Sequence, residues 1–357
     1  MIWFFQALLL LSQCWSFAVA NPWDDNHQMM SAITSKVGPV GVRSHLFQAP
    51  NQAKASQSDQ TIAVSDALVP EQPLILSYHN GPLLVGSNDT INMYVIFYGS
   101  FSRPQRGTLR AFFQSFAPSK QDSKSFPTVS KWWSVTRHYV DVHQSPVAKI
   151  LRPAGELWDR KYSRGRQLNQ SDIESLILGS TFSFDPHGIY LVLTAEDVSV
   201  KGFCTQFCGQ HFYTFPKDAK GHQIPYAWVG NPAKQCPGLC SWPYSKPDEA
   251  FLGPDTPALV PPNGDAGIDG MIISLGDSLA SIATDPYITG YYQGNGAEPL
   301  EAAGACKGAY GPNSFPGFPG ELSIDSTTGS SFNVYGARKR KFLMPWIWNP
   351  STLACSG

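Results

Sequence analysis

The sequence predicts an α/β or α+β fold: one large disulfide-braced domain with a central sheet and flanking helices. Three observations carry that expectation. Two apolar runs of strand length, Ile91–Tyr98 and Ile189–Leu193, offer almost no polar face, as strands covered on both sides of a sheet do. Helical periodicities lie between them, the alternation that gives layered α and β structure. Six cysteines, Cys204, Cys208, Cys236, Cys240, Cys306 and Cys355, fall in the second half of the chain behind a leader-like start, and an even count in that setting reads as a disulfide framework.

The start of the chain justifies the word leader. Ile2 to Phe17 is largely apolar and uncharged, with Leu8-Leu9-Leu10-Leu11 at its centre, and Ala18-Val19-Ala20 supplies a small-x-small cleavage pattern. Residues 1–20 therefore read as a signal peptide. Residues 21–72 are rich in Gln, Ser, Ala and Asn and read as a loosely ordered N-terminal arm. Residues 73–357 read as the folded domain. No later stretch is expected to span a bilayer, and no Lys-Asp-Glu-Leu tail is present. A formal net charge of −1 argues against a nucleic-acid partner, which needs a basic face. Asn88-Asp89-Thr90 and Asn169-Gln170-Ser171 are acceptor sequences for glycosylation at Asn88 and Asn169.

The elements follow in order. Ile91–Tyr98 is a central strand. Ser102-Arg103-Pro104-Gln105 forms a capping box ahead of Leu109, Phe112, Phe113 and Phe116 at helical spacing, and Pro118 ends that helix. A second helix is expected from Thr128 to Tyr139, with Trp132 and Trp133 on its apolar side. Paired tryptophans can stack on sugars, but at this spacing they read as core. A third helix opens at Ser171-Asp172-Ile173-Glu174 by the same kind of box. Tyr226–Val229 is a strand. Asn263-Gly264-Asp265 leads into the best helix of the chain, Ala266–Ala283, whose Ile268, Met271, Ile272, Leu275, Leu279 and Ile282 share one face. Its polar residues are expected to face outward. Leu322–Ile324 and Ser331–Tyr335 read as a hairpin, and Phe342–Trp348 as a last apolar segment.

The cysteines allow two chemistries. Cys204-x3-Cys208 and Cys236-x3-Cys240, with His211 nearby, have the ligand types of a four-thiolate zinc cluster. An oxidising compartment favours disulfides instead. Cys306 and Cys355 lie outside the clustered pairs and are expected to bridge each other. The other four are expected to join pair to pair, with connectivity open.

The region from Gly81 to Cys355 resembles the plant EXORDIUM or EXORDIUM-like family, also called phosphate-induced proteins. The matching phrases include Gly81-Pro82-Leu83-Leu84, the Trp132-Trp133 helix and Leu193-Thr194-Ala195-Glu196-Asp197-Val198. Gly202-Phe203-Cys204-Thr205-Gln206-Phe207-Cys208-Gly209 with His211, Tyr226-Ala227-Trp228-Val229-Gly230 and Pro262-Asn263-Gly264-Asp265 match as well. So do Gly290-Tyr291-Tyr292-Gln293-Gly294, Phe318-Pro319-Gly320-Glu321-Leu322 and Arg340-Lys341-Phe342-Leu343. The resemblance implies a secreted protein of the apoplast and cell wall, linked to growth, cell expansion and brassinosteroid- or nutrient-related responses. It transfers no catalytic residue. Tyr335-Gly336-Ala337-Arg338-Lys339-Arg340 departs from the family by being more basic.

Two enzymatic readings compete with a binding protein. Leu275 to Pro286 ends in Thr-Asp-Pro and resembles the zinc helix of some zinc peptidases, where His-Glu-x-x-[His/Glu] precedes that phrase. Asp277, Ser278 and Ser281 stand at the corresponding positions. Imidazole ligands and the carboxylate base are both missing, so the expectation is a degenerate zincin-like core without metal or other cofactor. A wall-modifying hydrolase, glycosidic or proteolytic, is the alternative. Gly-x-Ser-x-Gly is absent, and Asp265, Asp269, Asp277, Glu298 and Glu301 offer carboxylates but no assignable general acid. The partner expected is a cell-wall polysaccharide or an extracellular protein.

Overall fold

A six-stranded mixed sheet organises the molecule. The computed structural model describes residues 42–44, 73–118, 127–216, 222–246, 257–315 and 317–357. The sheet strands are β1 (Val42–Ser44), β2 (Thr90–Tyr98), β3 (Ile150–Asp159), β4 (Gly188–Thr194), β5 (Gly209–Thr214) and β6 (Ile224–Gly230). Their order across the sheet is β1-β5-β6-β4-β2-β3. β5 alone runs against its neighbours; the other five share one direction. β4 and β6 are buried at every residue, which is why both read as unbroken apolar runs. The proposed signal peptide and most of the 21–72 segment lie outside the described residues. Val42–Ser44 is the exception and pairs with β5.

Helix α1 (Arg103–Gln114) begins where its capping box predicts. Ser102 Oγ accepts from Gln105 N at 3.3 Å, and Gln105 Oε1 accepts from Ser102 N at 2.9 Å. Such a cap stabilises a helix by about 1 kcal/mol. Leu109, Phe112 and Phe113 are buried against the core.

The single helix expected over 128–139 divides in two. α2 (Val129–Trp133) is followed by a 3-10 turn, Ser134–His138. Ser134 Oγ donates to Lys131 O at 2.6 Å and Thr136 Oγ1 to Trp133 O at 2.7 Å. Hydroxyls that bond the preceding turn compete with continued α-helix. Helix α3 (Gln170–Leu178) is capped by Asn169, with Asp172 at the third position, rather than by Ser171. Strands β3 and β5 have no counterpart in the sequence reading.

Between β6 and the next long helix lies a single turn, α4 (Pro237–Cys240). Helix α5 (Ala266–Thr284) has the expected start, but the outward polar face is a wrong expectation. Every residue from Gly267 to Thr284 is buried, Asp269, Ser274, Asp277, Ser278 and Ser281 included. α5 lies across β5 and β6 on one side, and α4 packs on it as well. Close approach needs its glycines: a Cβ on Gly270 would stand 2.6 Å from Cys240 O, and one on Gly276 would stand 2.5 Å from the Met344 methyl. By length and composition α5 is long and apolar enough to cross a membrane, contrary to the sequence expectation, yet 94% of that stretch is buried inside the domain.

Three disulfides brace the fold, Cys204–Cys236, Cys208–Cys240 and Cys306–Cys355. They join pair to pair and end to end as expected. The expected hairpin forms between Ser323–Ile324 and Ser331–Phe332. Val334–Tyr335 instead pairs with Lys341–Phe342, and Ile347–Asn349 with Ala354–Ser356.

Candidate functional site

The most reactive-looking side chains meet behind β5, in the core. β5 carries His211 inward. α5 presents Asp277 and Ser281 one turn apart, and Asp285 follows directly after its last residue. This i, i+4, i+8 spacing makes a polar stripe along one side of the helix end. Glu301 completes the group from the segment before the Gly304–Cys306 turn, which the Cys306–Cys355 bridge anchors. His211 and Glu301 are 90 residues apart in sequence.

His211 Nε2 lies 3.0 and 2.9 Å from the two Glu301 carboxyl oxygens. Its Nδ1 is buried and finds no hydrogen-bond partner. Asp285 Oδ1 accepts from Thr289 N at 2.7 Å and Gly290 N at 2.6 Å. Asp285 Oδ2 is buried without a hydrogen-bond partner, and the Asp285 and Glu301 carboxyls lie close enough for each to act on the other's titration. Two carboxyl groups bond only when one is protonated, because both oxygens of a carboxylate accept. Burial and the charge of Glu301 push Asp285 up to about 8. Burial and the charge of Asp277 hold Glu301 well above the usual carboxylate range, against the opposing bonds to Asp285 and Ser281. Burial pushes the His211 imidazole down to about 4, although Asp285 and Asp277 favour its cation. The His211–Glu301 contact is thus a neutral hydrogen bond in a low-dielectric interior, not an ion pair.

A second buried carboxyl sits at the start of α5. Asp269 takes hydrogen bonds from Asn263 N at 2.9 Å and Asn263 Nδ2 at 2.6 Å. Burial still pushes it up to about 7. Arg340 Nη1 bonds Asn263 Oδ1 at 2.7 Å, which ties the C-terminal segment to the helix start.

The central cluster is sealed. His211 is 1% exposed, Glu301 and Asp277 2%, and Asp285 not at all. No substrate reaches these groups without unpacking the core. Among the described residues no group of three His, Cys, Asp or Glu side chains is arranged to hold a metal ion. Asp277, Ser278 and Ser281, the positions compared with a zinc helix, are all on buried α5. The alternative four-thiolate cluster is excluded, because all four cysteines are in disulfides.

Asp265 caps α5 by accepting from Ile268 N at 3.1 Å. Glu298 belongs to the exposed loop before Glu301. Trp132 and Trp133 are core, as read: their indole N–H groups donate to Pro345 O at 2.6 Å and Ala148 O at 3.0 Å. Asn88 and Asn169 are both exposed. Asn169 Oδ1 takes the capping bonds of α3, from Asp172 N and the Ser171 hydroxyl. The sequence reading named Glu301 and His211 separately and missed their union. No motif signals it, since the contact is made by tertiary packing.

What the fold and this cluster define is a disulfide-braced α/β domain with a closed polar core. The chain belongs to the EXORDIUM, or phosphate-induced protein, family: the family model described as "Phosphate-induced protein 1 conserved region" matches residues 76–357. It is 40% identical to Protein EXORDIUM of Arabidopsis thaliana over 294 residues, covering 80% of this chain and 90% of that protein. It is 41% identical to Protein PHOSPHATE-INDUCED 1 of Nicotiana tabacum over 293 residues, 81% of this chain and 90% of that one. Protein EXORDIUM-like 3 of Arabidopsis thaliana is 36% identical over 334 residues, 91% of this chain and 94% of that one. No solved structure matches the fold. The zincin-like expectation therefore rests on the α5 phrase alone.

Proposed function

We propose that this protein is secreted to the apoplast and cell wall, where it promotes growth and cell expansion in brassinosteroid- or nutrient-linked signalling by binding rather than by catalysis. Its ligand is a wall polysaccharide or an extracellular protein. One observation carries the choice of binding: the His211–Glu301–Asp285 cluster, the best assembly of acid–base groups among the described residues, is closed to solvent. A general acid or base has to come within hydrogen-bond reach of its substrate. Family membership supports the growth reading, and three disulfides suit an oxidising compartment.

The test uses the purified secreted protein with insoluble wall material. The expected result is retention on the wall with no release of reducing sugars or peptides and no stoichiometric transition metal in the protein. Asp277→Asn should keep its effect on growth. Turnover of a wall polymer that Glu301→Gln abolishes while the fold persists would overturn this reading in favour of the hydrolase.

A further inference from the structure

One face of α1 carries Arg103, Arg106, Arg110 and Gln114, at i, i+3, i+7 and i+11. That spacing aligns them along about 16 Å of helix. Trp158 of edge strand β3 lies beside the first part of this strip and is 43% exposed. The Arg106 and Arg110 guanidinium carbons stand 4.2 and 5.1 Å from its ring centroid. Burial lowers the Arg106 pKa, and the charges of Arg110, Arg160 and Arg103 lower it further. Arg103 and Arg160 are exposed and make no ion pair with a described residue. Among the described residues the carboxylate in contact with the cluster is Glu156, which holds Arg110 at 2.8 and 2.6 Å and also takes the Trp158 indole N–H. Arg106 donates to Phe101 O, and its Nε is buried without a partner. Four arginines gather here, and among the described residues one of them, Arg110, is ion-paired.

The strip ends in a groove of about 340 Å³, lined by Gln114, Ser115, Thr128 and Tyr335 together with Arg338 and Lys339. This volume falls in the range of about 300–1,000 Å³ usual for ligand sites. Arg338 and Lys339 occupy the centre of a tight turn closed by Arg340 N donating to Ala337 O at 3.1 Å. Both lie in the left-handed region, with φ of 57° and 60°. Such turns favour Asn-Gly, because a Cβ is strained there. Two consecutive long cations at these positions contradict the local backbone preference. Both are exposed and neither makes an ion pair with a described residue. Strain of this kind collects at functional sites.

Resting on the binding reading above, we infer that the strip from Trp158 along α1 to the Arg338–Lys339 groove binds a linear polysaccharide of acidic sugars. Trp158 lies beside one part of the strip and Arg338 and Lys339 at its other end, and stacked guanidinium groups with cations that make no ion pair among the described residues match regularly spaced carboxylates. Gln114 is exposed where the strip meets the groove, and its amide matches a ligand that carries hydroxyls as well as charge. A small anion does not span the strip.

The probe is polygalacturonate, titrated against the full secreted chain. The decisive variant is Arg338→Asn/Lys339→Gly. It gives the turn its preferred residues, so melting temperature should hold or rise while affinity falls about tenfold, the loss of two exposed charge contacts. Trp158→Ala with Arg160→Glu should also weaken binding, and raising NaCl should weaken the parent. Unchanged affinity in the Asn-Gly variant overturns the inference. Equal binding of fully methyl-esterified polymer, or preference for single-stranded nucleic acid, overturns it as well. Wall retention without polygalacturonate binding sinks this inference and leaves the binding reading intact, whereas catalytic turnover sinks that reading.

Discussion

Replacing Asp285 by Asn should flatten the dependence of stability on pH. Asp285 is raised from 3.8 to about 8 in the folded protein. Between those values the folded chain holds a proton that the unfolded chain has released. Its stabilising contribution is complete below the unfolded value and is lost as pH rises through the folded one. Each pH unit in that window costs about 1.4 kcal/mol per proton. His211 works the other way. Its imidazole is lowered from 6.5 to about 4, so below 6.5 the unfolded chain carries the extra proton and stability rises with pH. The two oppose each other up to about 6.5. From there to about 8 the carboxyl acts unopposed by His211, over about 1.5 units, for a loss of about 2 kcal/mol. Asn keeps an oxygen for Thr289 N and Gly290 N and offers an amide donor to Glu301. Urea unfolding of both proteins with disulfides intact, at about pH 6.5, 7.2 and 8, measures the difference. The parent should lose about 2 kcal/mol more than Asp285→Asn across that range. Identical slopes, or a parent that gains stability from pH 6.5 to 8, would refute the protonated-carboxyl account.

Leu275 is fully buried at the middle of α5, so Leu275→Ala should cost roughly 2–5 kcal/mol and reduce secreted yield; normal yield and melting temperature would show that the helix is misplaced. Gly290 donates to Asp285 while a Cβ on it would stand 2.2 Å from Thr284 O. Gly290→Ala should therefore destabilise by about 1–3 kcal/mol, measured by denaturant unfolding. Paired Cys306→Ser and Cys355→Ser substitutions open a bridge with a sequence separation of 49. They should cost roughly 4 kcal/mol by the chain-entropy account, again by denaturant unfolding, and little change would argue for residual order in the unfolded segment.

Local rules were readable where each residue answers to its near neighbours. α1 shows this best: Ser102, Gln105 and the Leu109–Phe112–Phe113 spacing specify start and buried face together. β4 and β6 were readable because both faces are covered. β3 was not, since Pro153 and Gly155 interrupt it and, at the sheet edge, only Leu151 of its residues is buried, so it shows no apolar run. The break after Trp133 depends on which way the Ser134 and Thr136 hydroxyls turn. α5 gave its limits but not its surroundings, because the residues covering its polar side come from distant segments. The cluster shares that limit. Its two halves, His211 and Glu301, are joined only when β5, α5 and the Cys306–Cys355 turn are packed.

The two bridges Cys204–Cys236 and Cys208–Cys240 have the same sequence separation, 32, and stand as adjacent rungs. Once one rung has closed, the other encloses only the short x3 spacers on either side. Most of the loop-closure entropy is thus spent by whichever rung forms first. Loss of a single rung should be masked by its neighbour, and loss of both should far exceed twice the single effect. The ladder therefore gives this region mutational redundancy, with strong negative epistasis hidden between two bonds that look equivalent.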